Sequence, residues 1–259
     1  MFNSIKVELK TQREIEKMRI AGKLVGEILN SLETFIKPGI STQDIEDFVL
    51  AQIKDAKMDA AFLGYPKGSA NPFPCACCIS INEEVVHGRP NPNRKLKDGD
   101  IVSVDTGTIY DGYYGDAAKT YAVGQISQEA KKLLAVTEQA LENAIKIALP
   151  NNRLGDIGWT VQTTAEENGF SVVRDYGGHG IGRNLHEDPH IQNFGKKNTG
   201  LKLEAGMVLA IEPMLNIGTY KVKTLADGWT VVTKDSSLSA HFEHTIAITK
   251  DGNEVLTRM

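Results

Sequence analysis

Apolar residues recur at helical spacing through Ile15, Met18, Val25, Leu29 and Leu32. Ahead of them Thr11-Gln-Arg-Glu14 has the form of a capping box, and Lys37-Pro38-Gly39 breaks the pattern behind. The spacing predicts an amphipathic helix. A second helix is expected from Ser41 to about Lys57, with Ile45, Val49 and Ile53 inward, before a loop from Gly64 to Pro74. A third begins near Ser127, carries Leu134, Leu141, Ile145 and Ala148 along one face and stops at Pro150. A fourth covers roughly Leu154 to Asn168. Between the two helix pairs, Ile101-Val-Ser-Val-Asp105, the turn Asp111-Gly112 and Tyr114 to Val123 read as a β-hairpin, and two similar blocks follow the fourth helix.

The pattern repeats. Leu96-Lys-Asp-Gly-Asp-Ile-Val-Ser-Val-Asp105 superimposes without gaps on Leu203-Glu-Ala-Gly-Met-Val-Leu-Ala-Ile-Glu212, matching Gly99 to Gly206 and Asp105 to Glu212. Pro38 precedes Asp44-Ile45 by the same interval as Pro150 precedes Asp156-Ile157. The chain reads as a duplicated helix-helix-strands unit, with halves roughly 11–123 and 124–259 inside one domain, 1–259.

Composition narrows the function. The chain has 259 residues, with 29 Lys plus Arg against 33 Asp plus Glu, a net charge of −4. That balance gives no global attraction to nucleic acid or anionic membrane. No run approaches the roughly 18–20 apolar residues of a membrane span, and the amino terminus is charged where a signal peptide needs an apolar core, so a cytoplasmic protein is expected. Cys75, Cys77 and Cys78 are odd in number, which suits ordinary thiols in a reducing compartment. Cys75 and Cys78 form a C-x-x-C, but no second pair completes a structural zinc site.

The repeat places an acidic residue at the end of equivalent apolar strands, where a charge is normally excluded from the core. A turn at Asp111-Gly112 sets Asp116 opposite Gly107, which makes Asp105 and Asp116 diagonal neighbours on one strand face. In the second half Glu212 is expected to be joined by Glu243 from Ser239-Ala-His-Phe-Glu-His244. Four converging carboxylates repel one another unless protons or cations relieve them. Two divalent ions would neutralise them, and the remaining coordination position suits a neutral nitrogen, for which His179 in Tyr176-Gly-Gly-His-Gly-Ile-Gly-Arg183 is the candidate.

Two motif matches are rejected. His186-Glu-Asp-Pro-His190 satisfies H-E-x-x-H, but Pro189 and the preceding glycines oppose the helix that motif requires. Gly178-His-Gly-Ile-Gly182 lacks both the spacing of a phosphate loop and a following helix.

Taken together, Ser80-Ile-Asn-Glu-Glu-Val-Val-His-Gly88, Asp105 with Asp116, Gly178-His-Gly-Ile-Gly-Arg183 with His186-Glu-Asp-Pro189, Ile211-Glu-Pro-Met214, and Asp227-Gly-Trp229 followed by Ser237-Leu-Ser-Ala-His-Phe-Glu-His244 resemble the type I methionine aminopeptidases. The resemblance spans essentially the whole chain. It implies an α+β pita-bread fold, a curved antiparallel sheet backed by two pairs of helices with pseudo-twofold symmetry. It implies Asp105, Asp116, His179, Glu212 and Glu243 as ligands of two divalent ions (Mn, Fe(II), Co or Zn), and His87 and His186 as catalytic histidines. Only 33 positions separate His179 from Glu212, which leaves no room for the helical insertion of type II members. With so short a stretch before the first helix, the zinc-binding extension of eukaryotic type I members is not expected. One departure is the loop from Lys67 to Ala76, longer and richer in Pro, Gly and Cys than the bacterial pattern.

The implied reaction is removal of an amino-terminal methionine from peptides and nascent chains, preferentially before a small second residue, with a metal-bridging water or hydroxide as nucleophile. Glu212 would relay a proton, His186 would meet the carbonyl oxygen and His87 the scissile nitrogen. Methionine selectivity needs an apolar, polarizable pocket, for which Phe62, Tyr65, Cys78, Leu185 and Trp229 are candidates. Two alternatives stay open: an X-Pro aminopeptidase or dipeptidase of the same fold, and a non-catalytic module that binds peptide or ribosome. Transient ribosome contact is an implied partner, with Lys196-Lys197 and Lys6, Lys10, Arg13 and Lys17 as candidate contacts. A monomer is expected.

Overall fold

A computed structural model describes residues 7–258. Four helices lie in two consecutive pairs: α1 (Gln12–Phe35) with α2 (Thr42–Asp55), and α3 (Gln128–Ile147) with α4 (Leu154–Glu167). Their starts follow from local chemistry. Thr11 and Ser41 each accept the N–H of the acidic residue three positions on, whose carboxylate returns to the cap N–H. Ser127 caps α3, and the Asp156 carboxylate accepts the Arg153 N–H at 2.7 Å. The second helix ends earlier than the sequence suggests, because Lys57 turns into the left-handed region at φ 56°. On α3 the buried position is Leu133 at 0% exposure; Leu134 packs only partly.

The long hairpin pairs Ile101–Tyr110 with Tyr113–Ala122. Asp111 at φ 46° and Gly112 at φ 80° form its turn, the doubly left-handed type that suits strand twist. Cys77–Ile81 and the short strand Asp59–Ala60 pair along the other edge of Ile101–Tyr110. The second half repeats this register in two segments, because Pro213 interrupts the strand that bears Glu212. Ser103 pairs with Ser80 and Thr120, and Ala210 with His179 and Thr245. Thr108 pairs with Ala60, and Leu215 with Val172.

Even the connections correspond. Gly39 N–H meets the Leu96 carbonyl as Asn151 N–H meets that of Leu203, and Ser41 bridges Lys95 as Arg153 bridges Lys202. Gly99 and Gly206 sit at φ 93° and 97°, a conformation that favours glycine in both halves. The fold is therefore the duplicated pita bread, each half packing a helix pair on its own sheet over its own apolar core.

The halves meet along a seam between Tyr113–Ala122 and residues 239–248. Glu243 N–H donates to the Ala118 carbonyl at 2.9 Å. The Thr120 hydroxyl holds both backbone groups of His241, and the Thr245 hydroxyl holds both of Asp116. These bonds satisfy buried backbone groups that no neighbouring strand reaches. Among the described residues no helix is long and apolar enough to cross a membrane.

Candidate metal centre and active site

Beside the seam lies a cavity of about 260 Å³. Every site residue expected from the sequence lines it: Phe62, Tyr65, Cys78, His87, Asp105, Asp116, His179, Leu185, His186, Glu212, Trp229 and Glu243. The long hairpin contributes Asp105 and Asp116 through the pairing of Gly107 with Asp116. Glu212 follows Val208–Ile211, and Asn193 Nδ2 pins its backbone carbonyl at 3.0 Å. His179 lies in a glycine strand because its neighbours have no space: a Cβ on Gly178 would stand 2.2 Å from the Ala210 carbonyl oxygen, and one on Gly180 2.2 Å from that of Asp188. His186-Glu-Asp-Pro-His190 leads into an extended strand, Glu187–Gln192, so it is not the helical zinc motif.

Ligand atoms of Asp116, His179 and Glu243 lie within 4.8 Å of one another. The His179 Nε2 is 3.7 Å from Glu212 Oε1. Its Nδ1 meets the Gly180 carbonyl at 2.9 Å, and a carbonyl only accepts, so Nδ1 carries the proton and the Nε2 lone pair faces the carboxylates. Burial pushes this imidazole down to about 3, which keeps it neutral. Burial pushes Asp105, Asp116, Glu212 and Glu243 up, and for Asp105, Asp116 and Glu243 the crowding of like charges adds to it. Asp105 Oδ1, Asp116 Oδ1 and Glu243 Oε1 are buried without hydrogen-bond partners. Buried carboxylate oxygens without donors, beside a neutral imidazole lone pair, fit hard or borderline divalent cations.

Above this acidic floor His87 and His186 face the opening. His87 has a left-handed backbone, φ 60°, an uncommon conformation away from glycine, and packs edge-on against Tyr176 and Trp229. Burial, with repulsion from His241 and His186, lowers its imidazole to about 4. His186 opens to the cavity, its Nδ1 2.6 Å from the Tyr65 hydroxyl, and the protein atoms around it cost the imidazolium hydration and lower its pKa. Cys78 stays a thiol because burial, then Asp105 and Asp116, push it well up. Cys77 turns away to Glu46 at 3.0 Å, and burial raises Cys75 to about 11, so neither supports a zinc or thiolate role.

Residues 16–250 match metallopeptidase family M24. A methionine aminopeptidase of Clostridium acetobutylicum is 51% identical over 96% of this chain and 98% of its own length. The chain belongs to the methionine aminopeptidases of family M24. A solved methionine aminopeptidase structure from Thermotoga maritima superposes with a TM-score of 0.95 at 49% identity, covering 98% of this chain and all of that one. An X-Pro aminopeptidase structure from the same organism reaches a TM-score of 0.74 at 20% identity over 97% of this chain and 62% of its own, which shows a shared fold alone. Membership of M24 makes the chain a metallopeptidase, and the acidic floor with His179 is the part of this methionine aminopeptidase suited to hold metal.

Several cavity residues escaped the sequence reading. The departing loop delivers Phe73, 3% exposed, whose ring meets Trp229 edge-on at 5.2 Å. Tyr176 and Val86 complete the wall. His241 stands behind Glu212 and Glu243; its strand alternation with Glu243 was the one signal that could have found it. One expected surface contact is corrected: Lys10 is buried, 2.5 Å from Glu187 Oε2, because the loop after His179 folds over it, so it cannot meet a ribosome. Lys17 pairs with Asp111, Lys197 lies over the Trp159 ring, and Lys6 falls outside the described residues.

Proposed function

We propose that the chain removes the amino-terminal methionine from peptides and nascent chains, preferentially when the second residue is small. The observation that carries this reading is an apolar pocket ending on a floor of four carboxylates, those of Asp116 and Glu243 buried, and one buried neutral imidazole. Asp105, Asp116, His179, Glu212 and Glu243 would hold two divalent ions, which supply Lewis acidity and lower the pKa of bound water towards about 7.

The protein's own groups do the rest. Phe62, Tyr65, Phe73, Cys78, Leu185 and Trp229 surround the methionine side chain, and the thioether suits aromatic and sulfur neighbours. A floor that receives a free amino terminus, with pocket walls behind it, confines cleavage to the first residue. The Tyr65 hydroxyl keeps its proton, since burial raises its pKa, and donates to His186 Nδ1. His186 Nε2 then carries the hydrogen and donates to the substrate carbonyl oxygen as charge develops there. His87 is neutral at physiological pH and meets the scissile nitrogen. Glu212 takes a proton at its carboxylate and returns it to the departing amine, the general acid–base role of a carboxylate beside the reacting groups.

The chain acts as one catalytic domain, 1–259, with halves 11–123 and 124–259 joined at the seam. It works in the cytoplasm as a monomer, with transient contact to the ribosome through exposed basic side chains. The test is release of the first residue from Met-Ala-Ser, Leu-Ala-Ser and Ala-Pro-Ser by chelated protein resupplied with Mn, Fe(II), Co or Zn. Metal-dependent cleavage favouring Met-Ala-Ser by about 10- to 200-fold over the leucine peptide is expected from the discrimination an apolar pocket allows. Preferred cleavage of Ala-Pro-Ser would move the assignment to the X-Pro branch, and no turnover with any metal would leave a binding module.

A further inference from the structure

The seam is symmetric in its hydrogen bonds but not in its residues. Gly107 pairs with Asp116 in the first half where Met214 pairs with His241 in the second. The Thr245 hydroxyl accepts the Asp116 N–H at 3.1 Å and donates to its carbonyl at 2.7 Å. The Thr120 hydroxyl treats His241 in the same way, at 2.9 and 2.8 Å. The pseudo-twofold therefore carries Asp116 onto His241, and the alternation that sends the Asp116 carboxylate to the floor sends the imidazole towards it from the opposite side.

His241 is 1% exposed and its Nε2 has no hydrogen-bond partner. This nitrogen lies 3.6 Å from Glu212 Oε2 and 3.9 Å from Glu243 Oε2. The other oxygen of each carboxylate points elsewhere: Glu212 Oε1 faces His179 Nε2 and Glu243 Oε1 is free of any donor. We propose that His241 is a positioning residue whose Nε2–H steers the Oε2 atoms of Glu212 and Glu243, leaving their Oε1 atoms to face metal. The inference rests on the reading of Glu212 and Glu243 as ligands. A donor behind a ligating carboxylate restricts its rotation before the ion arrives, so its loss weakens metal binding as well as turnover.

The test is calorimetric titration of Mn(II) into the chelated full-length protein and its His241→Leu and His241→Gln variants, with His241→Met in reserve should the leucine variant not fold. Leu or Met removes the donor and should weaken Mn(II) binding by about 10- to 100-fold, while Gln keeps an N–H and should stay within a few-fold of the parent. Parent affinity in the Leu or Met variant, or equal weakening in the Gln variant, would overturn the proposal. A parent that binds Mn(II) but cleaves no methionyl peptide would overturn the functional reading alone. A parent that binds no Mn(II) would overturn both.

Discussion

Replacing Thr245 by Val removes a hydroxyl and little volume. The Thr245 side chain is fully buried, and its hydroxyl is the partner of both the N–H and the carbonyl of Asp116 across the seam. Thr245→Val therefore leaves two buried backbone groups unsatisfied, at roughly 1–3 kcal/mol each, or about 2–6 kcal/mol together. With an unfolding entropy of about 2.1 cal/mol/K per residue, a chain of 259 residues shifts its Tm by about 2 °C per kcal/mol. The expected fall is about 4–11 °C, read by differential scanning calorimetry on the chelated protein. Thr245→Ser keeps the hydroxyl and loses one methyl, worth about 1 kcal/mol, so it should fall by only about 2 °C. A Val variant melting within a degree of the parent would refute the reasoning, as would a Ser variant that falls as far as Val.

Stability of the chelated protein should decrease as pH rises from about 6.5 to 8.5, because the floor carboxylates, raised by burial, still hold protons in the folded state that the unfolded chain has released. The histidines, lowered by burial, are neutral in both states over most of that range and do not oppose the trend; a flat or rising melting temperature would contradict it. Phe73→Ala enlarges the pocket and should improve cleavage of Phe-Ala-Ser relative to Met-Ala-Ser by about tenfold, measured as a ratio of kcat/KM. Lys10→Met unpairs Glu187, the residue next to His186, and should lower kcat/KM by about tenfold while the same change in a His186→Ala background has little effect; equal losses in both backgrounds would show that Lys10 acts only on stability.

What the sequence revealed depended on how local the determinant was. Asp105 and Asp116 were legible because a two-residue turn fixes hairpin register, and register decides which side chains share a face. Glu212 was legible through its repeat partner. The place of His179 beside the carboxylates followed from charge balance, but its tautomer needed the Gly180 carbonyl. Phe73 could not be placed, since nothing along a loop states which ring turns inward. Lys10 looked like a solvated lysine; its burial depends on Glu187, which lies far away along the chain. The inward position on α3 slipped from Leu134 to Leu133, a difference of one helical position that an amphipathic stripe does not resolve.

The matched threonines at the seam imply a history. Two copies of one self-associating chain, docked about this axis, would have presented the same side chains from both sides, and every change would have been made twice. Once the copies became one polypeptide, each side could diverge alone. Asp116 now faces the seam where its counterpart is His241, and Glu243 occupies the place that Ala118 holds in the other copy. Asymmetry of this kind is what an exopeptidase requires, because its substrate enters with one end leading. Coexpressed separately, the two halves should regain peptidase activity only on assembling with each other, since the first supplies Asp105 and Asp116 and the second supplies His179, Glu212 and Glu243.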